Sequence, residues 1–375
     1  MYTMEQREQN TTSTPKPPLR SYNSLPNCPD PPDCDTSAAR TALQPNPSAR
    51  RRQIESGGMA PFAGRLGGNQ SFVLDRFDPA NAALLKKVPD AAPNLNLREM
   101  FDLNGFREVD MYKAALCECF GTMILVFGST YDSLSPGHPP PQPSLTTGAF
   151  GTVTFLGPLV AACINAIIIA ILIFCFGAIS GAHFNPLITF ATFFARLATF
   201  PRLVLYLAAQ TGGGALAGLL LRAAAGTRYF KVGGCFLFTD DGARVSSQFV
   251  IEFMGSLLLI VMAFGVGLDP RQKGIFGPAL APILVGLSAG ACALCFAFSM
   301  PGSGGAGLNP ARCFGAFVGS HFPGWHWIHW VGPLGASILH GIIYFVVPPG
   351  SVQPRAPARM VVAEVDEKRR IGVTV

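Results

Sequence analysis

The sequence predicts an all-α membrane protein with six transmembrane helices and two re-entrant half-helices in an inverted repeat. Three observations carry this fold class. The 375 residues are 49% hydrophobic and only 13% charged, the profile of a chain that crosses a membrane many times. Six apolar runs are each long enough to span about 30 Å of hydrocarbon. Between them stand two Asn-Pro loops, Ser180-Gly181-Ala182-His183-Phe184-Asn185-Pro186-Leu187 and Gly302-Ser303-Gly304-Gly305-Ala306-Gly307-Leu308-Asn309-Pro310-Ala311-Arg312-Cys313. Asparagine caps a helix start and proline suits its first position, so each loop opens a short helix.

In chain order, residues 1–105 are rich in Pro, Asn, Ser and Arg without sustained apolar periodicity, and read as a disordered cytoplasmic N-terminal tail. Within it, Arg50-Arg51-Arg52 ahead of Ser56 has the pattern of a basic-directed phosphorylation site or an anionic-lipid contact. The membrane domain occupies 106–348, with repeats at about 111–224 and 247–348, and 349–375 form a C-terminal cytoplasmic tail. Met1 to Gln6 lack the basic-then-apolar order of a signal peptide, so the first span is expected to target the chain.

The first span, about 111–130, contains Glu118; the second, about 150–177, contains Asn165. A half-helix from Pro186 to about Ala195 follows, reaching about 15 Å, half a membrane. The third span, about 203–224, holds Gly212-Gly213-Gly214 and Gly218, residues that allow close helix contact. The fourth, about 247–268, repeats the first: Glu252-Phe253-Met254-Gly255-Ser256 answers to Glu118-Cys119-Phe120-Gly121-Thr122. The fifth runs over about 278–299 and the sixth over about 327–347. Three spans per repeat is an odd number, so the second copy enters the membrane from the opposite side.

The net charge of +6 sits mostly in tails and span flanks, which fits positive-inside orientation and argues against nucleic acid as a partner. Arg107, Lys113, Arg196, Arg202, Arg271, Lys273 and Lys368-Arg369-Arg370 fall on one side, which makes both termini cytoplasmic; Arg228, Lys231 and Arg244 are exceptions on the other. Most of the ten cysteines stand singly in apolar spans, without zinc-site spacing. His321, His326 and His329 have mixed spacings and no acidic partner, so neither a metal nor a cofactor is expected.

Two half-helices meeting N-terminus to N-terminus place partial positive charge at the membrane centre, with the amides of Asn185 and Asn309 beside it. Glycine-rich backbone supplies carbonyl acceptors, and Arg312 adds a fixed cation near one mouth. Cations are repelled and polar neutral solutes are hydrogen-bonded, so the pattern describes a passive pore with no catalytic step. Glu118 and Glu252 read first as acceptors for the re-entrant backbone of their own repeats; the alternative is a proton relay in a coupled transporter. His183 reads as a loop brace, and His340 as a core or cavity histidine.

These residues resemble the major intrinsic proteins, the aquaporins and aquaglyceroporins, over about 111–348. Leu187 in place of the usual Ala, Gly233-Gly234-Cys235 and Cys313 after Arg312 are similar to the X intrinsic protein subgroup. The resemblance implies an aquaporin-like channel domain over 106–348 and a homotetramer in lipid, expected in the plasma membrane. It implies a midplane at Asn185 and Asn309 within motifs continued by Pro186, Leu187, Pro310 and Ala311. It implies a selectivity filter of Asn165, Ala297, Ala306 and Arg312, although Pro301 leaves Phe296 and Phe298 as alternatives to Ala297. Such a ring is wider than the aromatic-and-His ring of strict water channels, which points to glycerol, hydrogen peroxide, urea or boric acid with some water. Glycerol channels carry Asp where this chain has Cys313, and His329-Trp330 resembles the water-channel side, so a water-selective pore is the alternative. Cys235 and Cys313 are candidates for a disulfide at the outer mouth.

Overall fold

The computed structural model describes residues 61–66, 73–136, 153–239, 243–270, 273–297 and 302–346. Arg50-Arg51-Arg52, Ser56, Arg271, Phe298, Pro301 and the C-terminal tail lie outside the described residues. Eight helices build the membrane part: α1 (Val109–Tyr131), α2 (Val153–Phe176), α3 (Pro186–Phe194), α4 (Phe200–Ala225), α5 (Val245–Ala263), α6 (Lys273–Phe296), α7 (Pro310–Gly319) and α8 (Ile328–Val346). A π turn, Phe264–Leu268, extends α5. Six of the eight are long and apolar enough to cross a membrane. Leu116, Phe120, Ile167, Ile171, Met254 and Val261 point outward from three of them, as expected where the solvent is lipid.

The other two, α3 and α7, have nine and ten residues, and at about 1.5 Å per residue each reaches about half the hydrocarbon. Proline opens both, and the asparagine before it caps the helix with its own side chain: Asn185 Oδ1 accepts from Leu187 N, and Asn309 Oδ1 from Ala311 N and Arg312 N. The half-helix α7 packs on α4 backbone to backbone. A Cβ on Gly218 would stand 1.8 Å from the Gly315 carbonyl oxygen, so only glycine fits there. Two three-residue strands, β1 (Leu134–Pro136) and β2 (Phe230–Val232), pair antiparallel and tie the end of α1 to the loop after α4.

The N-terminal segment departs from the expected disorder. Residues 73–107 form short helices, among them Ala82–Lys87 and Leu97–Met100, the latter with a capping box between Asn96 and Glu99. Phe62, Ala63, Leu66, Ala91, Ala92 and Leu95 are buried. Asp90 is also buried and binds Arg202 on α4 through Nε (2.7 Å) and Nη2 (3.1 Å), an ion pair sheltered from water on both sides. The physical reason is that this segment builds no core of its own. A few apolar side chains and one carboxylate suffice when the helices supply the rest of the contact, and composition averaged over the segment hides them.

Candidate functional site

The two Asn-Pro loops meet. Asn185 Nδ2 donates to Leu308 O (2.9 Å), and Asn309 Nδ2 donates to Phe184 O (3.0 Å). The exchange is reciprocal because Phe184 and Leu308, the residues before the two asparagines, both lie in the left-handed region (φ 49° and 60°). That rare backbone for non-glycine residues turns each carbonyl toward the opposite loop. With its oxygen engaged by its own helix and one N–H by the other loop, each asparagine keeps one N–H to offer.

Each loop is held by the glutamate of its own repeat. Glu118 Oε1 accepts from Ser180 Oγ (2.5 Å) and His183 N (3.1 Å), and Oε2 accepts from Phe184 N (2.7 Å) and Gln210 Nε2 (2.9 Å). Glu252 accepts from Gly307 N (2.7 Å) and Leu308 N (3.0 Å). Both carboxylates are fully buried, so their charge is balanced by these donors. His183 bridges Thr189 Oγ1 and Gly64 O. The His329 ring lies 3.3 Å from Glu252, while His340 packs at a tilt on Phe264, 4.2 Å between ring centres.

At the end where α7 carries Arg312, the guanidinium is fixed from several directions. Nη2 donates to Ser129 O (2.8 Å) and Ser133 Oγ (2.9 Å), Nε to Ser129 Oγ (3.1 Å), and Nη1 to Gly233 O (2.7 Å). Cys235 and Cys313 form a disulfide, with Cα atoms 5.2 Å apart. It holds the Gly233 carbonyl against Arg312. Asn165 donates to Asp132 Oδ2 (3.3 Å) and to Ala161 O (3.0 Å). Burial pushes the Asp132 carboxyl up to about 6, against the opposing pull of Arg312.

Ala306 is buried beside Gly255 on α5. Ala297 follows the last turn of α6, with its Cα 3.1 Å from where a Cβ on Gly305 would stand. The Phe296 ring turns instead toward Gly255. Thus Asn165 is hydrogen-bonded to Asp132, whose charge attracts Arg312, whereas Ala297 and Ala306 border the glycine-rich loop. Ser129, Asp132 and Ser133 were not singled out by sequence; their signal is only a cluster of hydroxyls and one carboxylate at the end of a span. Gln210 and Tyr206, which donates to Ser180 O at 2.6 Å, were missed as well. Both are polar residues inside an apolar helix, and that oddity was the available clue.

Six spanning helices around two capped half-helices whose asparagines face each other define a class: a membrane channel built from an inverted repeat. The major intrinsic protein profile matches residues 105–344, and the chain belongs to that family. Among relatives, it is 31% identical to "Probable aquaporin PIP2-8" of Arabidopsis thaliana over 68% of this chain and 87% of the relative. It is 34% identical to "Aquaporin TIP1-1" of Zea mays over 62% and 85%. The solved aquaglyceroporin from Plasmodium falciparum matches at 17% identity and a TM-score of 0.43, covering 62% of this chain and 95% of that one. The protein is therefore an integral membrane channel of the kind that passes water or small solutes, and not an enzyme.

Proposed function

We propose that the pore conducts small uncharged solutes such as glycerol, hydrogen peroxide, urea or boric acid, together with some water, and excludes protons and other ions. The observation that carries this reading is the reciprocal pairing of Asn185 and Asn309. Each retains one N–H and no free oxygen, so a solute at the midplane accepts hydrogen bonds from both. A water held there donates away from the centre in both directions, which interrupts a proton wire, and the two helix N-termini raise the energy of cations.

Arg312, Asn165, Ala306 and Ala297 are proposed as the selectivity filter, and two alanines leave its walls low. Leu187, Gly233-Gly234-Cys235 and Cys313 support assignment to the X intrinsic subgroup. A homotetramer in the plasma membrane, with both termini in the cytoplasm, completes the proposal. The transporter alternative is disfavoured because both oxygens of Glu118 and of Glu252 already accept hydrogen bonds from loop donors. A proton arriving on either carboxylate would break its own loop support.

The test is osmotic swelling of proteoliposomes in glycerol and urea, with hydrogen peroxide entry measured in parallel. Glycerol and peroxide uptake above empty liposomes is expected. Water flux without either solute would favour the water-selective alternative, and uphill solute movement driven by a proton gradient would overturn the channel reading.

A further inference from the structure

We propose that residues 61–66 form a strap that closes the inner end of the pore, with Arg65 as its latch. The proposal rests on the channel reading above and goes beyond it, because the strap lies outside residues 105–344 that match the family. The strap crosses from one repeat to the other. Leu66 N donates to Gly181 O of the first Asn-Pro loop (2.9 Å), and Ala63 N donates to Asp90 O (2.7 Å). On the far side, a Cβ on Gly267 would stand 3.3 Å from Leu66 O, which places Leu66 against the π turn at the end of α5. Leu66 shares an apolar cluster there with Phe264 and Leu268. The pore of an inverted repeat runs between its repeats, so a segment bound to both lies across the path.

The strap also takes up polar groups that would otherwise line that end. His183 Nε2 donates to Gly64 O (2.7 Å), which turns this ring nitrogen from solute to strap. The Phe62 ring packs by His183 and Tyr206, with the Arg202 guanidinium 4.0 Å from its centre. Arg65 is fully buried, and its Nη1 donates to Gly177 O (2.9 Å) and Ala178 O (2.6 Å) at the end of α2. Carbonyls at a helix C-terminus lack intrahelical partners and attract a cation. No carboxylate pairs with Arg65 among the described residues, and its Nη2 is buried without a hydrogen-bond partner there. The latch is thus held by carbonyls alone, a seat from which a strap can be released.

The experiment uses the full chain, native and with Arg65→Ala, Arg65→Lys or Leu66→Ala, in proteoliposomes of one lipid composition. Water flux is read by stopped-flow shrinkage, and strap seating by hydrogen exchange at the Leu66 amide. Arg65→Ala, which removes both hydrogen bonds to the end of α2, is expected to expose that amide and raise water flux at least about tenfold, the equivalent of about 1.4 kcal/mol or more. Arg65→Lys keeps the cation and the slow flux, and Leu66→Ala raises flux with the latch intact. If Arg65→Ala exposes the amide but conducts at the native rate, the strap is a brace and the proposal is overturned. A Leu66 amide that stays protected in Arg65→Ala overturns the latch. Should Arg65→Ala fail to fold, an unchanged flux in Leu66→Ala overturns the closure. If no version passes water, glycerol or peroxide faster than empty liposomes, the channel reading itself falls, and the strap with it.

Discussion

Replacing Glu118 with Gln should destabilise the protein about twice as much as replacing Glu252. Glu118 accepts four hydrogen bonds, two at each oxygen, and glutamine offers one oxygen and an NH2 group. Turned with its nitrogen toward Ser180, whose hydroxyl can also accept, the amide strands one donor, His183 N, while the other three bonds lose the charge that strengthens them. A hydrogen bond to a buried charged group contributes about 1.5–3 kcal/mol and a neutral one about 0.5–1.5, so one bond lost and three weakened cost about 5–7 kcal/mol. Glu252 accepts one loop N–H at each oxygen. Glu252→Gln therefore loses one such bond and weakens the other, about 3–4 kcal/mol. For a domain of this size about 1 kcal/mol moves the melting temperature by about 2–4 °C. The assay is thermal unfolding of purified protein in detergent, followed by intrinsic fluorescence. A fall of about 10 °C or more is expected for Glu118→Gln and about half of that for Glu252→Gln. Equal shifts, or a larger shift at Glu252, would refute the assignment of the carboxylates as loop acceptors, and so would a stable Glu118→Gln protein that had lost only its flux.

Three further outcomes follow from the Arg312 end. At about 4 Å and an effective dielectric near 20, a fixed charge opposes a monovalent cation by about 4 kcal/mol, so Arg312→Val should raise cation leak by up to about three orders of magnitude; unchanged selectivity would mean that Arg312 does not line the constriction. Asp132 has a folded value raised to about 6. The stability it contributes is therefore present below the ordinary aspartate range near 4 and is lost as pH rises through about 6. The native protein should gain stability on this account between pH 7 and 5 relative to Asp132→Asn, and parallel pH profiles for the two would contradict the assignment. The Cys235–Cys313 bridge spans a sequence separation of 78, and chain entropy gives such a closure about 4.5 kcal/mol. The double Ser variant should melt about 10 °C lower; an unchanged melting temperature would show that the bridge does not form.

The parts of this architecture legible in the sequence are those in which local chemistry and repetition coincide. Asn-Pro is both a cap and a first helical turn, so α3 and α7 begin where the motif stands. Glu118 and Glu252 could be paired with the loops because each repeat has one. The long-range partners were not legible. Ser129, Asp132 and Ser133 have no motif of their own, and only the packing of α1 beside α7 brings them to Arg312 and Asn165. Asp90 and Arg65 lie in a stretch whose average composition is that of a tail. Their importance comes from Arg202 and from the end of α2, more than a hundred residues further along the chain.

The central claim is that neutral molecules cross at Asn185 and Asn309 while protons do not. Its most direct test is simultaneous measurement of osmotic shrinkage and internal pH in proteoliposomes carrying the full chain or its Arg65→Ala form, under an imposed pH gradient. The structure predicts that shrinkage outruns empty liposomes, most of all in Arg65→Ala, while the gradient decays no faster than in their protein-free counterparts. Collapse of the gradient together with water flow, or shrinkage no faster than empty liposomes in both forms, would contradict it.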